Sequence, residues 1–262
     1  MRIDAALRQA RERLAASPSA SLDAQLLLCH VLVRPRSYLF TWPERELDVQ
    51  QQQRFLALLT RREQGEPVAH LTGEREFFGR RFTVTADTLI PRPDTETLVE
   101  LALQLGPAGP ARVVDLGTGT GAIGLSLALE RPQWQVTLVD LSAEALSVAQ
   151  RNARDLSARV TLQQGNWLQG CDGPFDLIVS NPPWGRQTAK ADRPFLDAIL
   201  SSGLPAHLLH SAEASHIEPL FEASDWSTER YGEADFALPA AYSHHSRQRG
   251  RTRAAFWRLV PP

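Results

Sequence analysis

From residue 92 onward, short apolar runs alternate with amphipathic runs of helical period. The apolar runs are RVVDLG, QVTLVD, RVTLQQG and FDLIVSNPP, and the helical runs GAIGLSLALE and SAEALSVAQRNARDL separate the first three. This order predicts a βαβαβ arrangement, with a parallel sheet and helices on both faces. Ligands of such sheets bind beyond the carboxyl ends of the strands, so the residues after each strand are the candidates for function.

The first 70 residues have a different pattern, in which apolar residues recur at spacings of three and four. This period predicts a small bundle of helices, and Pro43 suits the start of one of them. From Glu74 to Asp87, aromatic and polar residues alternate about Gly79, which predicts a hairpin. We therefore expect a helical domain over residues 1–70, a hairpin linker over 71–91 and a sheet domain over 92–262.

The composition excludes several classes of protein. Hydrophobic residues make up 43% and charged residues 22% of the chain, and no run approaches the 18 apolar residues that a membrane span needs. The first residues lack the apolar core of a secretion signal, so we expect a cytoplasmic protein with no membrane partner. Cys29 and Cys171 have neither disulfide nor metal-ligand spacing, so we expect no metal site. A net charge of −2 does not by itself indicate a nucleic-acid partner.

A glycine-rich turn follows the first apolar run. Glycine lets the backbone pass close beneath a ligand, and the start of the next helix offers free N–H groups. Asp115 lies just before the glycines, where a carboxylate suits a cationic amine better than a pyrophosphate. Asp140 ends the next strand, 19 residues after Gly121, where an acid accepts the hydroxyls of a ribose. A nucleoside that carries an amino acid, S-adenosylmethionine, is therefore predicted to bind Asp115, Gly117, Thr118, Gly119, Gly121 and Asp140.

Two other interpretations of this turn stay open. The spacing Gly119-x-Gly121-x-x-Gly124 also satisfies the dinucleotide-binding pattern, which many ordinary turns match. The two aspartates could instead cap helices. A nicotinamide dehydrogenase, however, gives no role to the residues that end the fourth apolar run.

That fourth run ends in Asn181-Pro182-Pro183-Trp184. Two prolines after the asparagine hold the backbone rigid and aim the Asn181 amide and the Pro182 carbonyl into the cleft. Both groups supply oxygen acceptors, so they can receive the two N–H groups of a planar amine and present its nitrogen to a methyl sulfonium. Trp184 can stack on the planar group and exclude water. We therefore assign catalysis and acceptor binding to these four residues; the alternative is a simple turn with a core tryptophan.

These motifs together resemble a known family. The turn from Asp115 to Gly121, with Asn181-Pro182-Pro183, is similar to the class I S-adenosylmethionine methyltransferases. Residues 1–183 resemble the HemK/PrmC release-factor glutamine methyltransferases, and the most diagnostic run is LIPRPDTE, Leu89 to Glu96. The resemblance implies a class I, Rossmann-like α/β fold with a mostly parallel seven-stranded sheet and an N-terminal helical domain that recognises the substrate.

The resemblance also implies an activity and a place for each motif. The reaction would be N5-methylation of the glutamine in the Gly-Gly-Gln motif of class 1 peptide-chain release factors, with S-adenosyl-L-homocysteine as the other product. The glycines would line the methionine part of the cofactor and Asp140 its ribose. Asn166-Trp167 stands where the family has Asp-Trp beside the adenine, and Asn181 borders both cofactor and acceptor. Transfer by positioning and desolvation needs no general base, so histidines such as His210 are given no role.

The resemblance stops after residue 183. The family has Tyr where this chain has Trp184, and the runs HLLHS and FALPAAY look like the compact ribosomal-RNA adenine-N6 methyltransferases. Either kind of tail predicts a fifth strand near His207 to His210, followed by an antiparallel pair near Tyr231–Ala237 and Arg253–Val260.

Three functions therefore stay open. The leading one is glutamine methylation by a monomer whose partner is a release factor. The second is adenine-N6 methylation of ribosomal RNA, for which the basic stretch from His244 to Arg253 is a candidate phosphate contact as well as a candidate solvated loop. The third is a cofactor-binding protein that has lost transfer activity, marked by Asn166 and Trp184 where the family has other residues.

Overall fold

The computed structural model describes residues 1–166, 174–184, 190–239 and 249–262. Trp167, Cys171 and the first half of the basic stretch lie outside the described residues. The chain forms two compact units, of which the first contains Met1–Glu74 and the second contains Arg75–Phe236 and Thr252–Pro262. Within the described ranges, no helix has the length and apolar character required to cross a membrane.

The first unit is helical, as its period predicts. The apolar faces of its helices meet in one core that includes Leu27, Leu28, Phe55 and Leu59, all completely buried. The helices are α1 (Ile3–Arg13), α2 (Ala20–Leu32), α3 (Arg36–Thr41), α4 (Val49–Glu63) and α5 (Val68–Thr72).

The expectation that Pro43 starts a helix is wrong. Pro43 lies in the turn between α3 and α4, where its carbonyl accepts the N–H of Asp4 at 2.9 Å. Helix α4 begins later because Asp48 and Gln51 form a capping box, in which each side chain accepts the backbone N–H of the other residue. Such a box satisfies two N–H groups that otherwise have no partner within the helix, so it fixes the start more strongly than proline does.

A hairpin of β1 (Glu74–Phe77) and β2 (Arg80–Thr83) follows. Its two turn residues, Phe78 and Gly79, have φ angles of 51° and 69°. Two left-handed residues in succession give the type I′ turn that matches the twist of a tight hairpin. The hairpin predicted about Gly79 is therefore present.

The described residues after the hairpin include a seven-stranded sheet in the order β5-β4-β3-β6-β7-β9-β8. The first five strands in this order are parallel, and β9 is antiparallel to β7. This confirms the predicted class I fold, including the fifth parallel strand and the final antiparallel strand. The strands are β3 (Ala111–Leu116), β4 (Trp134–Asp140), β5 (Val160–Gln164), β6 (Leu177–Ser180), β7 (Ala206–Ser211), β8 (Ser227–Pro239) and β9 (Arg249–Val260).

Helices cover both faces of this sheet. Alternate strand residues point to opposite faces, and here the residues on both faces are apolar and need helices to cover them. Val113 and Leu138 pack into a core that includes residues of α6 and α7, whereas Val114 and Val139 pack into a second core that includes residues of α9 and α10. The helices are α6 (Asp94–Leu105), α7 (Ala122–Glu130), α8 (Ala143–Asp155), α9 (Arg193–Ser202) and α10 (Ile217–Glu222).

We predict that Gly124→Ala destabilises the protein, because Gly124 is where α7 packs directly on the sheet. An added Cβ would overlap Leu138 Cδ2 and lie 3.0 Å from the Cβ of Asp115. Overpacking of this kind costs about 1–3 kcal/mol, which exceeds the gain in helix propensity from glycine to alanine. The measurement is the free energy of unfolding in urea.

Gly109→Ala is the matched control, because no atom lies within 4 Å of its added Cβ. Its free energy of unfolding should stay within about 0.5 kcal/mol of the wild-type value. If the two variants were equally stable, the close packing of α7 on β4 would not limit stability.

Candidate functional site

The candidate site lies where the chain reverses direction across the sheet. From β3 the chain moves outward through β4 to β5, and then returns to the other side of β3 as β6. Leu116 pairs in register with Val139 on one side and with Ser180 on the other. The carboxyl ends of three strands therefore meet at one edge, the usual binding position in open α/β sheets. The residues that follow these ends are Gly117, Leu141 and Asn181, with Asp140 as the last residue of β4.

The glycine loop after β3 is held from within the protein. The N–H groups of Gly117 and Thr118 both donate to the carbonyl of Val139 at 3.0 Å, and the Gly119 N–H donates to Asp140 Oδ2 at 2.9 Å. These three N–H groups, which come before the start of α7, are therefore satisfied within the protein. Gly119 adopts a left-handed conformation with φ 55°, and no atom lies within 4 Å of the position a Cβ would take.

Asp115 is completely buried beneath this loop. Its Oδ2 accepts the hydroxyl of Thr118 at 2.6 Å and the N–H of Gly124 at 2.9 Å. Its Oδ1 has no hydrogen-bond partner among the described residues. Burial, with a smaller contribution from the nearby charge of Asp140, raises the pKa of Asp115 to about 6 against the lowering effect of the two hydrogen bonds. The carboxylate therefore shapes the loop and leaves one oxygen unmatched.

Asp140 is only partly buried. Its Oδ2 accepts the N–H of Gly119, and its Oδ1 accepts the N–H of Ser142 at 3.0 Å. Each carboxylate oxygen has two lone pairs, so both oxygens keep acceptor capacity for hydroxyl groups. These two contacts hold the carboxylate in place at the edge of the sheet.

Asn166 lies just beyond β5 and is exposed. The residue before it, Gly165, donates its N–H to the carbonyl of Asp140 at 3.2 Å, which places this segment beside the end of β4. Asn166 therefore lies at the same edge of the sheet as Asp140. Trp167, which was predicted to bind the adenine together with Asn166, lies outside the described residues.

Asn181 is held at both ends of its side-chain amide. Its Nδ2 donates to Thr95 Oγ1 at 3.1 Å, and its Oδ1 accepts the indole N–H of Trp184 at 3.1 Å. Thr95 lies in the first turn of α6 and belongs to the LIPRPDTE run. Of the two prolines between Asn181 and Trp184, Pro182 is buried and Pro183 is exposed.

Trp184 stacks on His210, with 6.0 Å between the ring centroids and 26° between the planes. His210 is buried, and its Nδ1 accepts the N–H of Ser211 at 2.8 Å. Burial lowers the pKa of His210 to about 4, so at neutral pH its single proton is on Nε2. That atom lies 3.1 Å from Asp192 Oδ2, which is also 2.6 Å from His216 Nε2. These three side chains have ligand-type atoms within 4.8 Å of one another, but His210 presents an N–H here rather than a lone pair for a metal ion.

Comparison with known proteins identifies two segments of the chain. Residues 5–73 match the family model described as the PrmC N-terminal domain, and residues 94–204 match the methyltransferase small domain. The two matched segments lie one after the other in the chain, the first in the helical unit and the second in the sheet unit. This confirms the resemblance predicted from the sequence for the front of the chain.

Two curated relatives have the same name, release factor glutamine methyltransferase. The one from Shewanella oneidensis is 52% identical over 172 residues, which are 65% of this chain and 60% of the relative. The one from Escherichia coli K12 is 49% identical over 180 residues, which are 68% of this chain and 65% of the relative. The chain therefore spans a little under two thirds of the length of these relatives.

A solved structure gives the same fold for the sheet unit. The putative RNA methyltransferase PH1948 from Pyrococcus horikoshii superposes with a TM-score of 0.55 at 22% identity, over 66% of this chain and 84% of that protein. At this identity the likeness concerns the fold, which is that of the class I methyltransferases.

Sequence reasoning missed three residues that support the site: Thr95, Asp192 and His210. The sequence could have singled out Thr95, because this residue lies in the most diagnostic run of the chain. Nothing in that run indicated which strand end Thr95 would contact. His210 was given no role, and it instead packs against Trp184. Trp184 itself was expected to stack on the acceptor, whereas its ring lies on His210. These contacts join residues up to 86 positions apart, so spacing could not reveal them.

Replacement of Asp115 by asparagine should change the pH dependence of stability between about pH 4 and 6. The carboxyl group binds its proton more tightly in the folded protein than in the unfolded chain, where its pKa is about 3.9. Its contribution to stability is therefore present below about pH 4 and is lost as the pH rises through about 6. The melting temperature of the wild type minus that of Asp115→Asn should increase as the pH falls across this window. A constant difference in thermal unfolding followed by circular dichroism would contradict the raised pKa.

Proposed function

We propose that this chain transfers a methyl group from S-adenosylmethionine to the side-chain nitrogen of the glutamine in the Gly-Gly-Gln motif of class 1 peptide-chain release factors. The observation that carries the proposal is about 50% identity to two relatives named release factor glutamine methyltransferase. It is supported by a strand-end asparagine and a glycine loop that lie side by side at the switch point of the sheet.

The glycine loop and the two aspartates suit S-adenosylmethionine. The unpartnered Oδ1 of Asp115 is a buried acceptor that a positive charge in the loop would stabilise, as the amino group of the methionine part would. Asp140 keeps acceptor capacity on both oxygens for the ribose hydroxyls. Gly117, Thr118, Gly119 and Gly121 would line the methionine part, and Asn166 and Trp167 would lie beside the adenine. When bound, the cofactor supplies a methyl group on a sulfonium.

Asn181 and Pro182 would bind the acceptor amide. The oxygen of Asn181 accepts one hydrogen bond from Trp184 and has a second lone pair for an N–H of the glutamine. The Pro182 carbonyl would accept the other N–H, so the two hydrogen bonds orient the amide and leave its nitrogen facing the methyl group of the cofactor. Pro183 keeps this backbone rigid, and Trp184 covers the site.

The proton that leaves after transfer needs no dedicated base. An amide that has gained a methyl group on nitrogen is strongly acidic in its cationic form, so water accepts its proton. Catalysis then rests on the position of the nitrogen and on exclusion of competing water, which can supply several kcal/mol of the barrier.

The helical domain over residues 1–70 would recognise the release factor, with residues 71–91 as the linker to the methyltransferase domain over 92–262. The match of residues 5–73 to the PrmC N-terminal domain supports this division. The domain also exposes the apolar side chains of Val33, Phe40 and Trp42, a surface that a protein partner can cover.

The deciding experiment measures transfer of a labelled methyl group to two substrates in parallel. Purified release factor should become labelled, and a release factor with its Gly-Gly-Gln glutamine replaced should not. Label on ribosomal RNA alone would instead indicate an adenine-N6 methyltransferase. Tight cofactor binding with no product on either substrate would indicate a binding protein without transfer activity.

Two variants should separate cofactor binding from transfer. Asn181→Ala should lower kcat by about a hundredfold or more while cofactor affinity stays within about threefold, because the lost contacts act on the acceptor nitrogen. Asp140→Ala should weaken cofactor binding by about tenfold or more, because it removes charged acceptors. The measurements are steady-state kinetics and calorimetric titration with S-adenosyl-L-homocysteine.

Asp155→Ala is the matched control for Asp140→Ala. Asp155 is an exposed aspartate whose ion pair with Arg151 is 3.8 Å long, and its removal should leave both measurements unchanged. Full turnover by Asn181→Ala would contradict the proposed acceptor site.

A further inference from the structure

We propose that Thr95 is a positioning residue that fixes the orientation of the Asn181 side-chain amide, so that its oxygen and not its NH2 group faces the acceptor. The inference rests on the proposed function, and it gives a role to the LIPRPDTE run, to which no step of that function assigns one. Thr95 touches neither of the reacting groups in this proposal; it acts through Asn181.

The hydrogen bonds to Asn181 determine which atom of its side-chain amide is the oxygen and which is the nitrogen. An indole N–H can only donate, so the atom 3.1 Å from Trp184 Nε1 must be the amide oxygen. The amide nitrogen of Asn181 then lies 3.1 Å from Thr95 Oγ1, and this hydroxyl oxygen accepts a hydrogen bond from it. The two partners thus specify one of two orientations that otherwise have almost the same shape.

Thr95 is itself held firmly. Its side chain is buried, with 5% of the residue exposed, and its N–H donates to the carbonyl of Arg92 at 3.0 Å. The next residue, Glu96, accepts the N–H of Phe78 through Oε1 at 3.0 Å, which ties the start of α6 to the turn of the hairpin. The hydroxyl of Thr95 therefore has a fixed position relative to the end of β6.

Trp184 is held on its other side. Its ring stacks on His210, which is buried and lies 3.1 Å from Asp192. The indole cannot easily turn its N–H away from Asn181 while this stack persists. The asparagine is thus held between two groups that are each anchored elsewhere in the fold.

Loss of the threonine hydroxyl would free the amide. The NH2 group of Asn181 would lose the Thr95 hydroxyl as its hydrogen-bond acceptor. If the Asn181 amide then rotated, its NH2 group would face the NH2 group of the substrate amide, and two donors would oppose each other. An acceptor amide would then bind with its nitrogen misplaced. Misplacement of the reacting atom lowers kcat, whereas the cofactor contacts are untouched.

The first test compares three variants in methyl transfer to release factor. Thr95→Val, which keeps the shape but removes the hydroxyl, should lower kcat by about tenfold or more, with cofactor affinity within about twofold of wild type. Thr95→Ser, which keeps the hydroxyl, should restore most of the activity. Thr88→Val is the matched control, because Thr88 has the same 5% exposure and its hydroxyl bonds to Thr85 within its own turn.

These variants distinguish positioning from general destabilisation. Thr88→Val should lose stability like Thr95→Val but keep the wild-type kcat. A kcat for Thr95→Val within about twofold of wild type, or equal losses of kcat in Thr95→Val and Thr88→Val, would overturn the inference.

The second test does not depend on activity, so it still applies if the proposed substrate is wrong. In ¹⁵N-labelled protein, the NH2 signals of Asn181 are identified by their loss in Asn181→Ala. They should show slowed exchange with solvent in the wild type and in Thr95→Ser, and fast exchange in Thr95→Val. Equal exchange in all three proteins would overturn the inference, whereas absence of methyl transfer by the wild type would overturn the proposed function alone.

Discussion

The parallel pairing of β3 with β6 is the constraint on which the rest of the site depends. These strands are 64 residues apart in the chain, yet Leu116 and Ser180 lie in register and the buried hydroxyl of Ser180 donates to the Leu116 carbonyl at 3.0 Å. The pairing places the glycine loop directly beside the asparagine segment. A shift by one residue would turn alternate side chains to the opposite face of the sheet and move the two segments apart.

The glycine loop depends in turn on a carboxylate that is costly to bury. Asp115 receives a hydroxyl and an N–H on one oxygen and leaves the other unmatched, and burial raises its pKa to about 6. A residue chosen for stability alone would be apolar at this position. Its retention is understandable if the loop binds a positively charged ligand, since an opposite charge offsets the cost of the buried carboxylate.

Around Asn181, side chains from distant parts of the chain meet. Thr95 comes from the run over residues 89–96, whereas Asp192 and His210 come from the part of the chain that follows Trp184. Trp184 connects them, because its N–H bonds to Asn181 while its ring lies on His210. Tryptophan at this position supplies a hydrogen-bond donor and a broad ring at once. Side chains that precede and follow Asn181 in the sequence therefore both hold its amide.

The fold class was predictable because period, strand ends and turn residues are local properties of the sequence. The alternation from residue 92 onward gave the sheet, and Asp140 and Asn181 were predicted to lie near the glycine loop because parallel strands end at one edge. The start of α4 was not predicted, since Asp48 and Gln51 compete with Pro43 through contacts that depend on the exact turn. The partners of each site residue were not predicted either.

What the sequence by itself determined was the order of the elements and the chemical types gathered at the carboxyl edge of the sheet. Only the tertiary structure decided how those groups are used. The loop N–H groups turn inward to Val139 and Asp140, one oxygen of Asp115 is left without a partner, and the Asn181 amide takes one orientation between Thr95 and Trp184. The physical reason is that hydrogen-bond direction and burial depend on residues far apart in the chain, which no local pattern encodes.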